Sequence, residues 1–95
     1  GSMGIGVGQT WQDVTGSRSI GTTYTNTTGR PIMVAITENI ANTGWNDIYV
    51  DGVIIGSFWN TNSYQEPSMK SFIVPANSNY RVAGNAHLKT WAELR

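Results

Sequence analysis

Residues 23–37, TYTNTTGRPIMVAIT, constrain the fold more than any other stretch. A Thr- and Tyr-rich extended run meets a turn at Thr28-Gly29-Arg30 and continues in apolar and β-branched residues. Such residues fit a pleated, half-buried strand better than a helix. Pro31 presets φ and donates no hydrogen bond where the second arm begins. Gly29 can adopt the positive φ that a tight loop needs. Along the second arm Ile32, Val34 and Ile36 point one way and Met33, Ala35 and Thr37 the other. Both sets are largely apolar, the pattern of a strand covered on both faces. The stretch reads as a hairpin at the centre of an all-β domain.

The remaining segments repeat the strand pattern. Residues 46–59 give the cleanest hairpin signal: DIYV and VIIGSFW flank Asp51-Gly52, a pair suited to a type I′ turn. Ile48 and Val50 are expected to face the core, followed by Val53 and Ile55, with Ile54 on the opposite face. QTWQDVT, residues 9–15, reads as a first strand with Trp11 and Asp13 on one face and Gln12 and Val14 on the other. Arg18 is either an ion-pair partner of Asp13 or a solvated loop residue. MKSFIVP, residues 69–75, turns Phe72 and Val74 inward, and a turn at 75–79 leads to a strand carrying Val82. In the last segment Ala92, Glu93 and Leu94 are helix formers. The alternation of Leu88, Thr90, Ala92 and Leu94 with Lys89, Trp91, Glu93 and Arg95 favours a closing strand instead. The sum is an antiparallel, jelly-roll-like β-sandwich of about eight short strands. Ile32, Val34, Ile36, Ile48, Val50, Val53, Ile55, Phe72, Val74 and Val82 are its expected core.

Ninety-five residues suffice for one domain with one core. Gly1-Ser2-Met3 reads as a cloning scar, residues 4–8 (GIGVG) as a flexible lead-in from an upstream segment, and 9–95 as a single head domain. A glycine-rich phosphate loop should follow a strand and open a helix, and residues 4–8 do neither. The formal net charge is +0 and 13% of residues are charged, which leaves no basic stripe for nucleic acid. No apolar run is long enough to insert through a bilayer as a helix. With no Cys there is no disulfide and no thiolate metal site. Asn26-Thr27-Thr28 matches a glycosylation sequon at the tip of the first hairpin.

GQTWQDVT at residues 8–15, Ser17-Arg18, and GTTYTNTTGRPI at 21–32 together resemble a segment of the C-terminal domains of bacteriophage and prophage tail fibres. Val50-Asp51-Gly52, FIVPA at 72–76 with Tyr80-Arg81-Val82, and the ending WAELR are similar to the same proteins. The likeness runs over nearly the whole chain after the first residues. It implies the distal head of a homotrimeric fibre, joined to an upstream shaft at the virion tail tip. It also implies contact with the host cell surface, often lipopolysaccharide or capsule. No catalytic motif comes with it, and no contact residue can be carried over, because the receptor loops of such heads differ between phages.

The residues themselves weigh against an enzyme. No GxSxG elbow is present. The single His87 and absent Cys leave no metal-ligand set, and no cofactor is implied. Paired carboxylates for glycoside hydrolysis could be drawn from Asp13, Glu38, Asp47, Asp51 and Glu66, but Asp51 belongs to a turn and Asp13 to a strand. A binding module fits better. Trp and Tyr can stack on the apolar face of a sugar while amides and carboxylates bond its hydroxyls. Trp45, Trp59, Asn62, Tyr64 and Glu66, on or beside the polar stretches 38–45 and 60–68, are the candidate glycan-binding residues. Trp59 reads equally as a core or seam residue, and Trp11 and Trp91 read as core or interface. The alternatives are a structural trimerisation or capping domain that touches no receptor, and a small glycan-hydrolysing domain.

Overall fold

The computed structural model describes residues 4–38, 44–60 and 69–95, with Asn60 described in its backbone alone. Among the described residues, eight strands form two four-stranded antiparallel sheets packed face to face: β1 (Trp11–Asp13), β2 (Thr23–Thr25), β3 (Ile32–Glu38), β4 (Gly44–Val50), β5 (Val53–Asn60), β6 (Met69–Val74), β7 (Asn79–Gly84) and β8 (Leu88–Leu94). The first sheet has the order β1-β8-β3-β6 and the second β2-β7-β4-β5. One 3-10 turn, Thr15–Ser17, follows β1, and there is no α-helix among the described residues. The closing segment is a strand, as its alternation predicts.

The expected core is largely the observed one. Ile32, Val34, Ile36, Ile48, Val50, Phe72, Val74 and Val82 are buried between the sheets, joined by Phe58, Tyr80 and Trp91. The alternation along β3 is strict: Ile32, Val34, Ile36 and Glu38 are buried and the residues between them half-buried. Three expectations are corrected. Val53 and Ile55 are 62% and 49% exposed, because β5 is a sheet edge and carries a bulge at Ile55. The turn at Gly29, φ +84, does not close a hairpin. β2 pairs with β7 while β3 pairs with β6 and β8, so the chain crosses from one sheet to the other there. Asn26 fastens this crossing, donating to the carbonyls of Arg30 (2.7 Å) and Val74 (3.1 Å) and accepting from the Thr28 N–H and hydroxyl. At 2% exposure it is a structural clamp within the sequon.

The third correction concerns Arg18. Its partner is Glu93, contacted by Nε at 3.0 Å and Nη2 at 3.1 Å, while Asp13 accepts from the Thr15 hydroxyl and N–H. Glu93 is almost completely buried, and it also receives Arg95 Nη1 at 2.7 Å and the Tyr80 hydroxyl. Burial pushes its carboxyl up, but the hydrogen bonds and charge of Arg18, with Tyr80 and Arg95, outweigh that and hold it below the usual range. Tyr24, Tyr80, Trp91 and Phe72 pack around this charge with ring centroids 5.6–6.3 Å apart. Trp91 is therefore core, whereas Trp11 lies exposed on β1.

Residues 4–8 make hydrogen bonds with the residues around them. Gln9 accepts from the Gly6 N–H at 2.7 Å and donates to the Pro31 carbonyl at 3.0 Å, and Arg30 Nη2 reaches the Gly4 carbonyl at 2.7 Å.

Candidate functional site

The β4–β5 hairpin turns at Asp51 and Gly52, whose φ values of 51° and 80° are those of a type I′ turn. Val50 opposes Val53 and Tyr49 opposes Ile54; beyond the bulge Ile48 opposes Gly56 and Trp45 opposes Trp59. The extra residue, Ile55, advances β5 by one position. In a regular ladder from the same turn, Phe58 would have stood opposite Trp45 and taken the outer face. The bulge instead buries Phe58 and brings Trp59 out beside Trp45.

On β4 the inward set is Asn46, Ile48 and Val50, so Trp45, Asp47 and Tyr49 stand on the outer face. Three cross-strand rows result. Trp45 and Trp59 form the row nearest the end of the sandwich, exposed by 37% and 74%. Asp47 and Ser57 form the next, with the Ser57 hydroxyl donating to Asp47 Oδ1 at 2.6 Å. Tyr49 and Ile54 form the third, and the Arg81 guanidinium from β7 lies 4.3 Å from the Tyr49 ring centroid. The face thus joins apolar ring surface to an oriented carboxylate and a cation.

Trp45 is held from behind. Its N–H donates to Asn85 Oδ1 at 3.0 Å, and its carbonyl accepts from the N–H groups of Asn85 (3.0 Å) and Ala86 (3.2 Å). Gly84 permits this close approach, with φ at +122°. Asn46, beneath the face, donates to the carbonyls of Ala83 and Ala86 at 3.2 Å.

Of the five candidate residues, the structure places Trp45 and Trp59 directly opposite one another. Asn62, Tyr64 and Glu66 lie outside the described residues. The strand ends that lead into both polar stretches do gather at one end of the sandwich: Gly44 pairs with Asn60, and Thr37 with Met69. Tyr49, Ser57 and Arg81 were not singled out from sequence, and Asp47 was considered only as a catalytic carboxylate. Period-two alternation from Trp45 would have found Asp47 and Tyr49; Ser57 and Arg81 needed the register.

The other acids sit elsewhere. Asp13 and Asp51 are turn residues whose carboxyls are held below the usual range, Asp13 by the Thr15 hydroxyl and N–H, Asp51 by the Ser78 hydroxyl and Asn79 N–H. Glu38 is buried and its carboxyl is raised by desolvation, against the pull of Lys70. His87 is exposed just before β8. Among the described residues no group of three His, Cys, Asp or Glu could hold a metal ion, and no helix is long and apolar enough to cross a membrane.

No known protein family, curated protein or solved structure matches the chain.

Proposed function

We propose that this domain binds a cell-surface glycan, without chemistry, through the outer face around Trp45 and Trp59. The observation that carries the reading is that pair: two indoles opposite one another, both exposed, beside the Asp47–Ser57 row. A sugar's apolar face suits the rings and its hydroxyls suit the carboxylate. With the tail-fibre resemblance, the wider reading is the distal head of a phage fibre attaching the virion to host lipopolysaccharide or capsule. Trp59→Ala, on the sheet edge, is expected to keep the fold and lower the affinity of a single head about threefold to tenfold, the worth of a stacked aromatic. Adsorption of the soluble domain to host cells, with and without their surface polysaccharide, reads this. Unchanged adsorption in a well-folded variant removes the platform.

A second, compatible reading is a structural cap, favoured by the flank opposite β1 and β2. There β5 and β6 are both sheet edges, and Val53, Ile54, Ile55 and Ile73 are about half exposed or more. β5 contains no charged residue, whereas exposed edge strands are ordinarily guarded by charge or proline. A homotrimer about a three-fold axis would cover this flank with neighbouring chains. Light scattering of the isolated domain at micromolar concentration is expected to give a trimer, and Ile54→Lys with Ile73→Lys a monomer. A monomeric parent protein contradicts the assembly.

A further inference from the structure

Beside the aromatic face, at the same end of the sandwich, a cleft of about 480 Å³ opens between residues 15–20 and the β7–β8 turn. Its size is that of a small-molecule site. Arg18 and Ser19 line it from the first segment, Asn85 and His87 from the turn, and Leu88 and Trp91 from β8. Asn85 belongs to both places, since its Oδ1 and N–H hold the backbone of Trp45. Asn85 thus links the cleft to the backbone at Trp45.

Charge distinguishes the two. Glu93 takes two hydrogen bonds from Arg18, which lines the cleft, and one from Arg95, which does not. The Arg18 side chain is 17% exposed, and in so sheltered a position its field is only weakly screened. Two of its N–H groups go to Glu93 and one to the Ser17 carbonyl, the Tyr80 hydroxyl is a further partner, and its face lies 4.7 Å from the Tyr24 ring centroid. Asp13, the other acid at this end, is exposed and already accepts from Thr15, so its charge is spent in solvent. A guanidinium edge matches the plane of a carboxylate.

We propose that the cleft receives the carboxylate-bearing unit of an acidic saccharide, of the uronic acid type, whose adjoining unit rests on Trp45 and Trp59. Arg18 faces the carboxylate, and Ser19, Asn85 and His87 face the hydroxyls. This rests on the glycan reading above and adds the class of sugar.

Three of the four tryptophans supply separate reporters, Trp91 for the cleft and Trp45 and Trp59 for the face. Nitrogen-15-labelled protein titrated with glucuronate, glucose and glucose 1-phosphate at equal ionic strength distinguishes the cases. The expected result is that glucuronate moves the signals of Trp91, Asn85 and His87 and binds at least about fivefold tighter than glucose. Added salt should weaken that binding, and glucose should move Trp45 and Trp59 alone. Ser19→Trp, which crowds the cleft, should abolish the glucuronate response and keep the glucose one. Glucuronate no better than glucose at the cleft, or phosphate bound as tightly as glucuronate, overturns the proposal. A silent cleft with responsive Trp45 and Trp59 overturns it while sparing the glycan face; the reverse pattern removes the face and keeps the acid site.

Discussion

Gly84→Ala is expected to cost about 3 kcal/mol or more, enough to lower the melting temperature by over ~10 °C in a domain of this size. A methyl group at Gly84 would lie 2.1 Å from the carbonyl oxygen of Trp45 and 2.8 Å from the Cα of Asn46, both backbone atoms that no rotamer change can move aside. The φ of +122° adds strain for any residue with a Cβ. Relief would require β4 and β7 to separate where the β7–β8 turn holds Trp45, so the variant should lose stability and glycan affinity together. Gly56→Ala is the control: its added methyl meets nothing within 4 Å, and its φ is ordinary for an L residue. Thermal denaturation followed by circular dichroism checks both. A Gly84→Ala protein within about 1 kcal/mol of the parent would mean that the close approach of the two strands is wrong.

Glu93→Gln should cost about 3–5 kcal/mol, the range for breaking a buried ion pair from one side. The substitution leaves Arg18 and Arg95 facing a neutral amide, and the Tyr80 hydroxyl without its carboxylate. Against a total of roughly 5–15 kcal/mol for a small domain, this removes a large share of the stability. The sign of the pH dependence follows from the lowered carboxyl. In the unfolded chain Glu93 titrates near 4.5, and in the folded protein below that. Its contribution is complete above the unfolded value and is lost as pH falls through the folded one. Glu38 acts oppositely, since its raised carboxyl makes the fold gain stability as pH drops through its own range. The decisive quantity is thus the difference between the parent and Glu93→Gln, which should shrink on acidification from neutrality. A difference independent of pH would show that Glu93 is not held ionised in the core.

How far the fold was legible depended on how local its determinants were. Asp51-Gly52 declares its turn within two residues, and the alternation along β3, β4, β6 and β8 assigns faces without knowledge of neighbours. Gly29 satisfies a positive φ equally well in a hairpin and in a crossing between sheets, so the turn residues did not reveal that β2 and β3 part company. Arg18 and Glu93 are 75 positions apart, and nothing local pairs them. The site was legible by halves. Trp45 and Trp59 were singled out as aromatic residues beside polar stretches, but their opposition depends on one inserted residue in β5. The same insertion accounts for the misplaced Ile55, whereas Val53, still opposite the buried Val50, is exposed because β5 is a sheet edge.

The most direct test of the proposed glycan-binding face is an array of bacterial surface polysaccharides probed with the parent domain and with Trp45→Ala/Trp59→Ala. Circular dichroism and light scattering should first show the same fold and assembly in both. The predicted result is that the parent retains at least one class of saccharide and the double variant retains none. Equal retention by the two proteins, or none by the parent, would contradict it.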